Sequence, residues 1–169
     1  MKLAELKPDF DNYKMLLNVK GLPERGRQGR SRALHVIGDD LIKSAKKLIL
    51  DKAKKTGRVY IVRSKNGKLR KHRASAPGEA PANLTGQLWR SLGYEGANTG
   101  NRLEFGAGGR GHKLRKGQKL VEYAKFLEKG TKRMAKRPFL KPAIKSNFRN
   151  IENHIARCVD QAIKKGWTK

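Results

Sequence analysis

Two stripes of apolar side chains, one in each half of the chain, limit what it can become. Leu34, Ile37, Leu41, Ala45 and Leu48 recur at spacings of 3, 4, 4 and 3, and Ile144, Phe148, Ile151, Ile155, Val159 and Ile163 at 4, 3, 4, 4 and 4. Both patterns are the buried face of an amphipathic helix. The first helix starts from a Ser31 cap and runs to about Lys55, with Gly57 as its stop. The last follows the turn 137–142, with Pro142 in its first turn. Cys158 falls on the inner side of that helix beside Val159, as a small core hydrophobe.

Between the stripes the pattern changes to strands. Arg58-Val-Tyr-Ile-Val-Arg63 and Leu69-Arg-Lys-His-Arg73 flank Asn66-Gly67, which predicts a hairpin. Ala76-Pro-Gly-Glu-Ala-Pro81 carries two prolines and a glycine and is irregular. Asn83 or Thr85 then caps a short helix with Leu84, Leu88 and Leu92 on one side. Residues 93–95 and 103–105 read as two strands joined around Gly100-Asn101. Residues 106–119 form a glycine-rich basic loop, and a short helix over 121–129 ends at Gly130. The sum is an α+β fold, in which a small antiparallel sheet packs against a long helix in the N-terminal half and a long C-terminal helix. Residues 1–30 read as a short element and a flexible basic arm, and 31–169 as one domain, as suits a chain of 169 residues.

The formal charge is +27, and the cations are spread along the chain rather than held in a tail. Such a charge repels itself in a compact state, so a polyanion, acidic neighbours or outstretched side chains must offset it. Nucleic acid is the first partner to weigh, because neutralising each phosphate releases counterions. A solvated basic face is the bland alternative. No apolar run is long enough to span a membrane. MKLAELKPDF has early acids and no apolar core, so it does not read as a signal peptide. One cysteine excludes an internal disulfide framework.

The residues give no positive case for catalysis, a cofactor or a metal. His35, His72, His112 and His154 fall in different elements, and no HExxH or paired His/Cys spacing occurs. Gly106 and Gly111 have four residues between them, but His112 stands where a phosphate loop needs Lys, and Leu114 follows Lys113. Asp39 and Asp40 sit among lysines, where ion pairing explains them. Glu122 and Glu128 are six residues apart and so face different sides of their helix.

Two segments resemble a known family. HRASAPGEAPANLTGQLWRSL (72–92) is similar to the "SAPGEPPA…TGRLRxSI" stretch of the phage tail-component family typified by siphophage HK-ninety-seven. EYAKFLEKGTKRMAKRPFLKPA (122–143) is similar to its "YAxxLExGTxxMxARPFLRPA" stretch, and KTGRVY (55–60) to its "TGRVY". Order and spacing agree over about residues 31–155. The arm 1–30, the loop 107–119 and Ala135-Lys136 depart from the pattern.

The resemblance implies a neck or tail-completion protein: a small α+β subunit that forms a ring, six-fold in the family, at the head–tail junction. Its implied partners are copies of itself, head-completion or adaptor proteins, and tail-terminator or tail-tube proteins, with genomic DNA in the channel. It implies no membrane and no substrate turnover, and a location in the virion after synthesis in the host cytoplasm. A ring needs two different patches per subunit. Pro77, Gly78, Glu79 and Pro81, with Thr85 and Gly86, form one candidate patch. Gly130 and Thr131, with Arg137, Pro138, Phe139 and Leu140, form another. For both, packing inside the subunit is the alternative, and Phe139 and Leu140 are expected to anchor in the core. Glu79 reads equally as an acid paired to a neighbour's cation or as an intrasubunit contact. Arg25, Arg27, Arg30 and Arg32 of the arm, and Arg110, Lys113, Arg115 and Lys116 of the loop, are the candidates for meeting DNA or an acidic neighbour. A non-specific nucleic-acid-binding protein is the competing function. Sequence-specific reading is not expected, since no helix-turn-helix or zinc-finger pattern is present.

Overall fold

In the computed structural model the described residues are 4–9, 14–19, 27–64, 66–107 and 123–166. Two long helices and an antiparallel sheet enclose one apolar core. The first helix, α1 (Arg27–Leu50), presents Leu34, Ile37, Leu41, Ala45 and Ile49 to that core. The last helix, α4 (Leu140–Gly166), packs along it and contributes Ala143, Ile144, Ile151 and Ile155. Asn147 joins the two, its amide donating to Ser44 Oγ at 2.7 Å and to the Ala143 carbonyl at 2.7 Å.

The sheet brings together distant parts of the chain. Strands β1 (Ala4–Asp9) and β2 (Lys14–Val19) form a hairpin. Near the middle, β5 (Leu92–Glu95) and β6 (Arg102–Ala107) form a second hairpin through a 3-10 turn at Ala97–Thr99. β2 pairs antiparallel with β6, Met15 opposite Phe105, to give the order β1-β2-β6-β5. Leu103, Phe105 and Ala107, two residues apart along β6, are all buried, as is Leu92. Glu104 and Gly106 between them are buried as well, so this strand is covered on both faces.

A separate two-stranded sheet, β3 (Val59–Arg63) and β4 (Leu69–Arg73), follows α1. Its turn has Gly67 at φ +75°, the left-handed conformation expected of Asn-Gly. A one-turn helix α2 (Gln87–Arg90) precedes β5, and α3 (Tyr123–Lys129) precedes the turn into α4.

The α+β class with a long helix in each half stands, but several boundaries move. The division at residue 30 falls inside α1: Arg27 and Arg30 are helical, and residues 4–9 and 14–19 are sheet strands rather than part of an arm. Ser31 therefore lies within the helix. α1 stops at Leu50, where Asp51 accepts from the Ala53 amide at 3.1 Å and turns the chain; Gly57 lies well beyond the end. The Leu84–Leu88–Leu92 stripe is not one helix. Gly86, at φ +81°, blocks its start, Leu84 is exposed, and Leu92 belongs to β5. Gly106 and Ala107 extend β6 instead of opening a loop. The rest of that loop, with the side chains of Cys158, Val159 and Ile163, lies outside what is described. Phe148, placed in the stripe of α4, is 46% exposed, and Asn147 occupies the inner position beside it.

Candidate functional site

The two segments that carry the family resemblance meet in space. The proline loop 76–81 is a tight turn closed by the Glu79 amide donating to the Ala76 carbonyl at 3.2 Å. The Gly78 amide donates to the Lys136 carbonyl at 2.9 Å, and Arg137 Nε donates to the Ser75 carbonyl at 3.3 Å. Residues 75–78 and 136–137 are thereby stitched together, though about sixty positions separate them in sequence. Beside this junction lies an open groove of about 430 Å³, lined mostly by residues 81–88, with His72, Ser75, Leu127 and Arg137 among the rest.

The loop is held from its other side by residues 55 and 56. The Glu79 carboxylate accepts from the Thr56 amide (3.1 Å), from the Thr56 hydroxyl and from the Ala76 amide (2.8 Å). These donors hold the carboxyl below its ordinary pKa, the Thr56 hydroxyl most strongly, with the Lys55 charge adding to them. The Lys55 ammonium is buried against the Leu48 carbonyl (2.9 Å) and the Ala80 carbonyl (2.7 Å). Burial pulls its pKa down, while Glu79 and Asp51 pull the other way. Glu79 is thus engaged within the subunit, the alternative to pairing with a neighbour's cation.

The second candidate patch is a turn set by its own backbone. The Gly130 amide closes α3 onto the Phe126 carbonyl at 2.8 Å, and Gly130 has φ +78°. A Cβ there would fall 2.9 Å from the Lys136 amide nitrogen, so the position needs glycine. Thr131 bridges to Met134, its hydroxyl accepting from the Met134 amide at 3.1 Å. Phe139 and Leu140 are in the core as anchors, so their side chains offer no outward surface. Pro77, Gly78, Thr85 and Thr131 are exposed, Pro81 and Gly86 are buried, and Gly130, Arg137 and Pro138 lie between.

The cationic candidates divide. Arg27 and Arg32 are exposed on α1. Arg30 is only 3% exposed; its guanidinium donates to the Gly100 carbonyl (3.1 Å) and to Asn101 Oδ1 (3.2 Å), tying α1 to the β5–β6 connection. It is a structural cation and not one held out to a partner. Arg25, Arg110, Lys113, Arg115 and Lys116 lie outside the described residues. Among the described residues no three His, Cys, Asp or Glu side chains are grouped to hold a metal, and no helix is long and apolar enough to cross a membrane.

Three participants escaped the sequence reading. Thr56 and Lys55 hold the proline loop from more than twenty residues away. Glu128 accepts from the amides of Phe139 (2.8 Å), Leu140 (3.1 Å) and Lys141 (2.9 Å), capping α4 from a different helix. A cap from eleven residues upstream has no local sequence signature.

Compared with protein-family models, with curated proteins and with solved structures, the chain has no match.

Proposed function

We propose that the chain is a structural virion subunit of a tailed phage, forming a ring at the head–tail junction that joins tail to head and surrounds the DNA channel. One observation supports this reading above the others: the segments 72–92 and 122–143, which carry the resemblance, build one joint structure in their described parts. The proline loop and the turn before α4 cross-bond there instead of serving separate ends of the molecule. The exposed members of that unit, Pro77, Gly78, Thr85 and Thr131, sit on backbone already fixed by intrasubunit bonds. Docking through a prefixed turn loses little further entropy. The fold thus offers rigid contact loops of the kind that head-to-tail ring closure uses.

The test is assembly. Purified chain, alone and mixed with isolated heads or tails, is imaged in negative stain and weighed by native mass spectrometry. A closed ring, and unjoined heads and tails when the gene is removed, is the expected outcome. A monomer under every condition, together with joined infectious particles lacking the chain, would overturn the proposal.

A further inference from the structure

The β3–β4 hairpin places no side chain in the buried core. It forms its own two-stranded sheet, and ribbons of two strands have little stability by themselves. Its register pairs Val59 with Arg73, Ile61 with Lys71, and Arg63 with Leu69. Directly opposite residues share a face, so these six side chains form one surface on which every cross-strand pair joins an aliphatic group to a cation. All six are exposed, Ile61 at 70% and Leu69 at 66%. The opposite face looks toward the body: Val62 and His72 are half-buried, and Arg70 donates to the Leu84 carbonyl at 3.4 Å. Residues 58–73 contain seven Lys or Arg and no carboxylate, so the ribbon has no counter-charge of its own.

We propose that this outward face is a docking surface for duplex DNA, seated in the major groove. The groove is about 12 Å wide and admits a two-stranded ribbon. A five-residue strand is about 17 Å long, and over that length a duplex presents about ten phosphate charges, enough to match the ribbon's cations. An acidic protein would have to concentrate as many carboxylates opposite one hairpin, which makes DNA the better-matched partner. The cations of this face, Arg63, Lys71 and Arg73, reach the phosphates. Val59, Ile61 and Leu69 lie along the groove floor, where thymine methyls offer apolar contact. With no Asn or Gln on this face, the binding is dominated by phosphate contacts and tolerates any sequence. The surface needs no ring: it acts in the single subunit, and its failure leaves the ring reading standing.

The experiment measures binding of the full chain to a fluorescent 20-base-pair duplex of mixed sequence across a salt series. The triple variant Arg63→Gln, Lys71→Gln, Arg73→Gln is compared with Lys47→Gln, Lys52→Gln, Lys145→Gln, which removes the same charge from exposed positions on or beside α1 and on α4. The ribbon triple should lose more than tenfold in affinity at moderate salt, and its slope of log affinity against log salt should fall by about 2.7, or 0.9 for each phosphate contact. The control triple should change the slope by less than about one on the same scale. Ile61→Ser with Leu69→Ser should weaken binding several-fold at unchanged slope. Matching thermal unfolding of all variants shows that the fold is kept. Equal losses in the two triples would reduce the effect to net charge and overturn the proposal. So would a ribbon triple that binds DNA like the parent but no longer enters particles, since the occupant would then be a protein.

Discussion

The ring of Tyr94 packs against α1 at Gly38, where the helix has no side chain to meet it. A Cβ on residue 38 would fall 2.6 Å from both Cγ and Cδ1 of the ring. The ring cannot readily swing aside, because its hydroxyl is hydrogen-bonded to His35 Nδ1 at 3.1 Å and to Asp39. Gly38→Ala gains about 1 kcal/mol of helix propensity but overpacks a fixed contact, which typically costs ~1–3 kcal/mol. A net loss of about 1 kcal/mol is expected in urea unfolding. Tyr94→Ala in the same background should remove the clash, so that Gly38→Ala becomes stabilising there.

Glu128 caps α4 with three amides that no residue near the helix start satisfies. Loss of a capping side chain costs ~0.5–2 kcal/mol, and the charge adds its attraction for the positive end of the helix. Glu128→Ala should therefore lower stability by about 2 kcal/mol, at the top of that range. Glu128→Gln, which keeps one of the two acceptor oxygens and loses the charge, should lower it by about half as much. Hydrogen exchange at Phe139, Leu140 and Lys141 gives the local check, since only these amides should lose protection in both variants.

The inner face of α4 separates two readings of one stripe. Ile151 is buried, whereas Phe148 is 46% exposed. Ile151→Ala should cost ~2–4 kcal/mol through cavity formation. Phe148→Ser should stay within about 0.5 kcal/mol, as surface changes do. A large loss at Phe148, read by chemical denaturation of the isolated chain, would show that this side chain is covered by the body of the protein.

These cases mark how far the sequence alone could be read. The α1 stripe, the Asn-Gly hairpin and the β5–β6 pairing rest on local periodicity and turn chemistry, and each was legible. Phe148 was misplaced because a 3-4 spacing count treats every apolar residue as buried, while Asn147 found a partner in Ser44 that only tertiary packing supplies. The strands at 4–9 and 14–19 were missed for a related reason. They pair with each other, but only the pairing of β2 with β6, nearly ninety residues away, joins them to the sheet, and the sequence shows only their broken hydropathy. At the candidate site the proline loop was visible, but its supports at Lys55, Thr56 and Lys136 were not, because they are set by chain crossings and not by spacing.

Lys55 holds the Leu48 and Ala80 carbonyls from a buried position. Lys55→Met keeps the stem but leaves both acceptors without this donor, and an unsatisfied buried group costs ~1–3 kcal/mol. The native lysine also has a pH signature. Its folded pKa lies below its ordinary value of 10.5, so in the window between the two the unfolded chain binds more protons. Stability should rise with pH through that window and level off above 10.5. In Lys55→Met this rise should disappear from urea midpoints measured across the alkaline range.

Glu79 supplies the acid counterpart. Its carboxyl is depressed in the folded state by the Thr56 hydroxyl first and then by the Ala76 and Thr56 amides, with ordinary ionisation near 4.5 in the unfolded chain. A depressed acid contributes stability that is fully present above the unfolded value and is lost as pH falls through the folded one. The loop should therefore loosen on acidification below about 4.5 rather than near neutrality. Glu79→Gln should remove that part of the acid dependence while leaving stability at low pH close to that of the parent. Thr56→Val deletes the strongest of the three donors, so it should shrink the same acid response without abolishing it. The readout is hydrogen exchange at the Ala76 and Thr56 amides followed from pH 6 downward by about three units. Protection that persists unchanged in Glu79→Gln would show that the turn is held by its backbone bonds alone, and that the carboxylate is free to serve a neighbouring subunit.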